Sequence, residues 1–305
     1  MTVRFVRPVS QSAYAARRIG LAALVLFLIA IAVHRFGPLT GPDFIAVVLF
    51  SAALAMVAVL FAVIGLVSLW QVGARGGVAS ARALIYAAPP IILVGFAAAL
   101  YFTTPPLYDV STDVADPPEW IRETNVNQQW LQRPTLVTLT DRQLQLTAYP
   151  ELTGRRYEGA ADRIYEAVAK VARSERISLD RKHGMELAAP GVSGEQQTPK
   201  TRAETTAVPD NIPIPQPRPD QPRPLASISE DVGKPGDVIL QGQTRTLILG
   251  LRFDVVIRLR EEAETTMVDL RVASRYGGHD LGLSADIAQS FLRALDSELL
   301  GLAVD

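Results

Sequence analysis

The stretch FDVVIRLREEAETTMVDLRVASRYGGHDLG, from Phe253 to Gly282, decides how this chain folds. Phe253, Val255, Ile257 and Leu259 alternate with Asp254, Val256, Arg258 and Arg260, and Val268, Leu270 and Val272 alternate with Asp269, Arg271 and Ala273. A period of two is that of a half-buried strand, whose successive side chains point to opposite faces. A hairpin turning around Glu262 and Ala263 sets Phe253 opposite Val272, Val255 opposite Leu270 and Ile257 opposite Val268. It also sets Asp254 opposite Arg271 on the other face, an opposite-charge cross-strand pair worth roughly 0.2–1 kcal/mol. A slip of one residue would send every apolar side chain to the wrong face. Glu-Ala lacks the Gly or Asn that a two-residue turn demands, so a longer loop from Glu261 to Glu264 is expected.

Beyond Arg275 the chain becomes polar and glycine-rich, and Ser284 is placed to cap a helix. Ile287, Phe291, Ala294, Leu295, Leu299 and Leu302 then recur at helical spacing, an apolar stripe to lay on the sheet. Upstream, Ala161, Ile164, Val168 and Val171 make one face of an amphipathic helix over Glu158 to Ser174, opposite Asp162, Glu166, Lys170 and Arg173. Thr135 to Ala148 alternates loosely and reads as an extended strand or arm. Ile177 to Leu187 supplies a strand, and Val238 to Leu251 one or two more, with Gly242 and Gly250 marking bends or bulges.

The strand FDVVIRL, the strand VDLRVASR, the loop YGGHDLG and a helix opening LSADIAQSFL together resemble the C-terminal half of the domain-of-unknown-function 1499 family. YDVSTDVADPP at Tyr108 to Pro118 and the Ala/Tyr-rich helix at Tyr157 to Ser174 extend the resemblance over most of Leu107 to Asp305. Family members usually carry paired aspartates before the apolar strand and Asn at the helix start, where this chain has Phe253-Asp254 and Ser284. The resemblance implies a membrane-linked or exported domain with no established activity.

The N-terminal third is of another kind. The chain has 305 residues, and its mean hydropathy of +0.19 with 7% aromatics points to membrane segments. Spans are expected at about 19–36, 44–69 and 82–103, since crossing the hydrocarbon takes roughly 17–25 residues. The third should start near Ala79 to Arg82 and bend at Pro89-Pro90. The first also admits reading as a cleaved leader with Ala30-Ile31-Ala32 at the cut, which leaves the later topology unchanged. Ser51, Ala55, Ala58, Ala62 and Gly65, with Gly95 and Ala99, are expected to let the helices pack closely. Arginines at positions 4, 7, 17, 18, 75 and 82 contrast with the acidic strip Thr103 to Trp120. The positive-inside rule then places the N-terminus in the cytoplasm and the C-terminal domain outside an inner membrane, with His34-Arg35 as a minor violation. No charge sits deep in a span, which favours an anchor over a transporter.

The fold class is therefore α+β: residues 1–104 form a bundle of three transmembrane helices, and 105–187 with 236–305 form an exported domain, an antiparallel sheet packed with two helices. Residues 188–235, densest in proline at IPIPQPRPDQPRP, form a disordered insertion.

With no cysteine, disulfide, thiol and iron–sulfur chemistry are excluded. The glycines of the loop could present amides to an anion, but neither a dinucleotide nor a P-loop fingerprint is present, and a strand-to-helix turn needs glycine anyway. His279-Asp280 lacks a second ligand at metal-site spacing and reads as a hydrogen-bonded loop pair. Asp109, Asp113 and Asp116 have hard-ligand character, yet DVADPP reads equally as turn chemistry. Asp254, Arg258, Asp269, Arg271 and Arg275 form a charged cluster in which arginines should hold the carboxylates ionised. Candidate binding residues are Asp254, Arg258, Arg271, Ser274, Arg275, Gly277, His279 and Asp280. No cofactor, metal or nucleic acid is expected. The expected partners are the lipid bilayer and a lipid-like ligand or envelope protein, bound between sheet and C-terminal helix. The alternative is a hydrolase using Asp254, Asp269, His279 and Asp280.

Overall fold

The computed structural model describes residues 9–184 and 237–300. The proline-rich insertion expected over 188–235 lies outside the described residues. Three helices lead: α1 (Gln11–Phe36), α2 (Gly41–Val72) and α3 (Gly77–Thr103), all long and apolar enough to cross a membrane. Ser10 and Thr40 cap the first two, each side chain accepting from the backbone N–H three residues on. Ser51, Ala55, Ala58, Ala62 and Gly65 form one buried stripe of α2, and a Cβ on Gly20 would come within 3.0 Å of the Ala83 carbonyl. Gly95 and Ala99 do not take part: the fully buried positions of α3 run from Ala79 to Pro90, and beyond them Leu93 and Val94 pack on α1 and α2 while Gly95 and Ala99 are exposed. This helix starts at Gly77, ahead of the expected Ala79 to Arg82, and continues through both prolines.

Short turns make neighbouring helices antiparallel, and a bridge between Val9 and Arg75 brings the start of α1 to the α2–α3 turn. Arg17, Arg18, Arg75 and Arg82 thus lie toward one end of the bundle. At the other end α3 hands the chain to the second domain. That domain runs β1 (Asp109–Ser111), α4 (Leu139–Ala148), β2 (Arg155–Glu158), α5 (Ala161–Ser174), β3 (Ser178–His183), β4 (Asp237–Arg245), β5 (Arg252–Glu261), β6 (Thr265–Ser274) and α6 (Leu283–Leu299). All pairings are antiparallel in the order β1-β6-β5-β4-β3, with β2 sharing the β6 edge with β1. The architecture is α+β.

The core hairpin is real but shifted. Val255 faces Val272, Ile257 faces Leu270 and Leu259 faces Val268, two residues from the expected register, because the turn closes with the Glu262 N–H donating to the Thr265 carbonyl. A two-residue shift leaves every side chain on its face, so the alternation cannot detect it; only the turn decides. It does change the charge pairing. Asp254 faces Ala273 instead of Arg271, and Arg258 faces Asp269.

One face of the sheet packs Val255, Ile257, Val268 and Leu270 against Ile164 and Val168 of α5 and Phe291 and Leu295 of α6. Helix α5 starts at Ala161, since Tyr157 and Glu158 belong to β2. Opposite Gly242 strand β3 carries a bulge between Leu179 and Arg181, and a Cβ there would meet the Ser178 carbonyl at 2.3 Å. The segment expected to be extended, Thr135 to Ala148, instead contains α4. Its capping box joins Thr138 and Asp141, and it turns Arg142 and Gln145 inward while Leu139 and Leu146 stay exposed. Its polar face is its buried face, so the apolar spacing misleads.

Helix α5 ends in a Schellman arrangement: the Ile177 N–H donates to the Ala172 carbonyl at 2.7 Å and the Arg176 N–H to that of Arg173 at 3.2 Å. The left-handed position is held by Arg176 at φ 59°, where glycine is the favoured residue. Arg176→Gly should therefore raise unfolding stability by about 1 kcal/mol, read as a higher midpoint in thermal denaturation of the detergent-solubilised chain; an unchanged or lowered midpoint would show that the arginine side chain stabilises the fold.

Candidate functional site

The face of the sheet turned away from α5 and α6 is charged, yet it too is buried. Arg258 donates to Asp269 at 2.8 Å, to Asp113 at 3.0 Å and to Asp116 at 3.3 Å. Arg271 grips Asp109 through two nitrogens, Asp109 also receives Arg142, and the Arg271 guanidinium lies over Trp120. Arg275 holds Asp254 at 2.6 Å. The segment after β1 covers this face. Gln241 clamps the backbone N–H and carbonyl of Arg122 at 3.0 and 2.7 Å, and Arg271 donates to the Pro118 carbonyl. Asp113 does serve as a turn residue, accepting from the amides of Ala115 and Asp116, while its other oxygen takes Arg258. Among the described residues no group of acidic and histidine side chains could hold a metal ion.

The glycine-rich loop joins the two domains. The Leu281 N–H donates to His279 Nδ1 at 3.0 Å, so the ring proton sits on Nε2, which donates to the Tyr101 carbonyl at the end of α3 at 3.1 Å. The ring also stacks on that of Tyr101. Asp280 is buried and accepts from the N–H groups of Gly282 and Ser284, so it, and not Ser284, secures the start of α6. Gly282 is the N-cap residue, and the Ser284 side chain is fully buried beside the Asp280 carboxylate. Burial pushes the Asp280 carboxyl above its usual range, against the opposing pull of those hydrogen bonds and of His279. Gly277 takes φ 74° and donates its N–H to the Leu131 carbonyl, and Ser274 donates to the Tyr276 carbonyl.

Where this loop meets the helix bundle there is a cavity of about 710 Å³. Pro38, Leu39, Ile45, Leu131, Leu251 and Phe253 give it apolar walls, and Ser274, Gly277, His279 and Asp280 also line it. The other predicted binding residues, Asp254, Arg258, Arg271 and Arg275, are on the charged sheet face and do not line it. The four residues of the hydrolase reading are thus divided: His279 and Asp280 share the cavity, and Asp254 and Asp269 are held by arginines elsewhere. The expected position of the pocket, between sheet and α6, is filled by Phe253, Phe291, Leu292 and Leu295.

His34 also lines the cavity and is not among the predicted binding residues. His34 is 8% exposed, stacks on Phe44 and donates from Nδ1 to the Leu39 carbonyl at 3.0 Å. Its Nε2 is then a bare acceptor. The Gly250 carbonyl lies near the ring but completes no hydrogen bond with it, and Nε2 has no partner among the described residues. A lone histidine next to an apolar span carries no such signal.

The model of the family described as protein of unknown function (DUF1499) matches residues 109–295, well over half of the chain, from the first strand to the last helix. The three apolar helices precede the matched region. No curated protein and no solved structure matches the chain.

The buried charge network and the surface pairs should behave differently on mutation. Asp269→Ala removes the most buried counter-charge of Arg258, whose side chain is 5% exposed, and leaves it the more exposed Asp113 and Asp116, which should cost about 2–3 kcal/mol, short of a fully stranded charge. Glu262→Ala removes the exposed partner of Arg156 and should cost less than about 1 kcal/mol. Denaturant unfolding of the two variants side by side checks this, and equal losses would contradict it.

Proposed function

The chain belongs to the DUF1499 family, whose function is unknown, and from the geometry of the junction between helices and domain we propose that it is a non-enzymatic cell-envelope module that binds a lipid-like ligand. One observation carries the reading: an apolar cavity of ordinary ligand size, at the end of membrane-type helices, with a buried histidine nitrogen that lacks a hydrogen-bond donor among the described residues. An amphiphile entering along the bundle would place its chain against Leu39, Ile45 and Leu251 and offer a hydroxyl or ammonium donor to His34. The non-enzymatic half of the reading is supported by how the ionisable side chains are engaged. Asp254 and Asp269 neutralise arginines, Asp280 holds a helix start and His279 ties the loop to Tyr101.

Native mass spectrometry of the detergent-solubilised full chain, after incubation with total membrane lipid extract, tests this. An adduct in the amphiphile mass range should be retained, and Ile45→Trp, which fills the cavity wall, should reduce it at least about tenfold, roughly 1.4 kcal/mol of binding. A chain that retains nothing, or a variant that retains as much as the native chain, overturns the reading.

The same proposal sets the domain outside the cytoplasm. Its support is the position of Arg17, Arg18, Arg75 and Arg82 toward the bundle end away from the domain. The exception, Arg35, is engaged by the domain itself, donating to the Thr246 carbonyl at 3.2 Å. The native chain has no cysteine, so single substitutions report cleanly. In intact cells with a permeabilised outer barrier, Ala263→Cys at the hairpin tip should react with a membrane-impermeant maleimide and Gln71→Cys should not. The opposite pattern would invert the orientation.

A further inference from the structure

The connection between β4 and β5, Thr246 to Leu251, is built unlike an ordinary surface hairpin. The Thr246 N–H donates to the Leu251 carbonyl, the Gly250 N–H to that of Thr246, and Gly250 sits at φ 75°. This compact turn sends its side chains two ways. Leu249 and Leu251 pack on the cluster of Phe27, Ala30, Phe44 and Val48 in α1 and α2. Leu247 and Ile248 point away from it and are 63% and 75% exposed. Two large apolar side chains are thus presented at the end of helices suited to a bilayer, at the level of Arg35 in the last turn of α1.

Beside this tip lies a groove of about 430 Å³ lined by Arg35, Arg176 and Arg245 with Ser178, Gln243 and Thr244. Its lining contains three guanidinium groups and no carboxylate. Among the described residues none of these arginines forms an ion pair, in contrast to Arg258, Arg260, Arg271 and Arg275 on the charged sheet face. Arg176 and Arg245 also line the adjoining groove together with Glu175 and Asp286, and among the described residues they form no ion pair with either. Arg245 also feels the positive charges of Arg252, Arg35 and Arg275. Unneutralised arginines held together beside an apolar tip call for an anion whose remainder is apolar.

We propose that Arg35, Arg176 and Arg245 bind the phosphate of an anionic phospholipid, with its acyl chains alongside Leu247 and Ile248. The site seats the domain on the bilayer at a second point besides the His279–Tyr101 contact. Arg176 and Arg245 do not line the junction cavity, so the site is independent of whether that cavity takes a ligand.

The test uses the full chain in detergent, with phosphatidylglycerol and phosphatidylcholine of identical chains competing in native mass spectrometry. The native protein should retain phosphatidylglycerol over phosphatidylcholine by about tenfold or more, the scale of a lost charge-assisted contact. The double variant Arg176→Gly with Arg245→Gln should reduce the preference to within about twofold. Arg176→Gly relieves a left-handed backbone position, so a thermal midpoint at or above that of the native chain certifies that the loss is not unfolding. Equal retention of the two lipids by the native protein overturns the proposal, as does a preference that survives in the double variant. Displacement of phosphatidylglycerol by excess inorganic phosphate would reassign the groove to a free anion and equally overturn it. Ile45→Trp should leave the preference intact.

Discussion

A sheet with charge on one face and hydrocarbon on the other must lose its water twice, and the means of drying the charged face governs the rest of this structure. Arg258 and Arg271 stand out from the middle of the sheet, where a bare guanidinium out of water would cost several kcal/mol. They are matched by Asp269 beside them and by Asp109, Asp113 and Asp116 from the segment that follows the last membrane-type helix. That acidic segment is therefore required to cross the sheet. Its path in turn brings Trp120 over Arg271, fixes Gln241 on the backbone of Arg122, and draws α4 in with its polar residues toward Asp109 and Ser111. The aspartates that looked like metal ligands are the counter-charges of a lid.

The same economy of contacts governs the join between the two domains. Among the described residues the helix bundle is met by the glycine-rich loop, through His279 on Tyr101 and Tyr276 against Gly41, where a Cβ would come within 2.6 Å of the ring, by the β4–β5 turn through Leu249 and Leu251, and by Gln129, which donates to Thr40 and Asp43. These contacts surround a space instead of filling it. The space is a half-open cleft of ligand size with apolar walls, and at its margin the Nε2 of His34 has no hydrogen-bond partner among the described residues. The functional reading rests there and not on the loop glycines, whose conformations are accounted for by the turn they make.

On the membrane side, arginines are treated in two ways within one domain. Those on the sheet face are paired and buried; among the described residues, those around the β4–β5 turn form no ion pair, and Arg35 donates only to the Thr246 carbonyl. A charge left without a counter-ion in a folded domain is either solvated or waiting for one, and the adjacent exposed leucine and isoleucine distinguish the second case. Both proposals thus place the chain's chemistry at the bilayer surface, where the bundle ends and the domain begins.

The sequence alone determined the three apolar helices, the antiparallel hairpin with its apolar and charged faces, and the helix laid on it, because each is written as a period or a run within a short window. It also carried the family resemblance that the matched region, 109–295, bears out. The hairpin register came out two residues off, since a period of two is blind to shifts of two and the turn between Glu262 and Thr265 settles the matter. Helix α4 was misread because it buries its polar side, a choice made by partners more than 30 residues away in sequence. Ser284 has the right residue type for a cap, but Asp280 reaches the helix start first. The cavity, the orphaned nitrogen of His34 and the arginine groove were decided only by tertiary structure. Each is assembled from segments as distant as Arg35 and Arg245, and what marks them is not a residue type but the absence of a counter-charge or hydrogen-bond partner among the described residues, which no local pattern records.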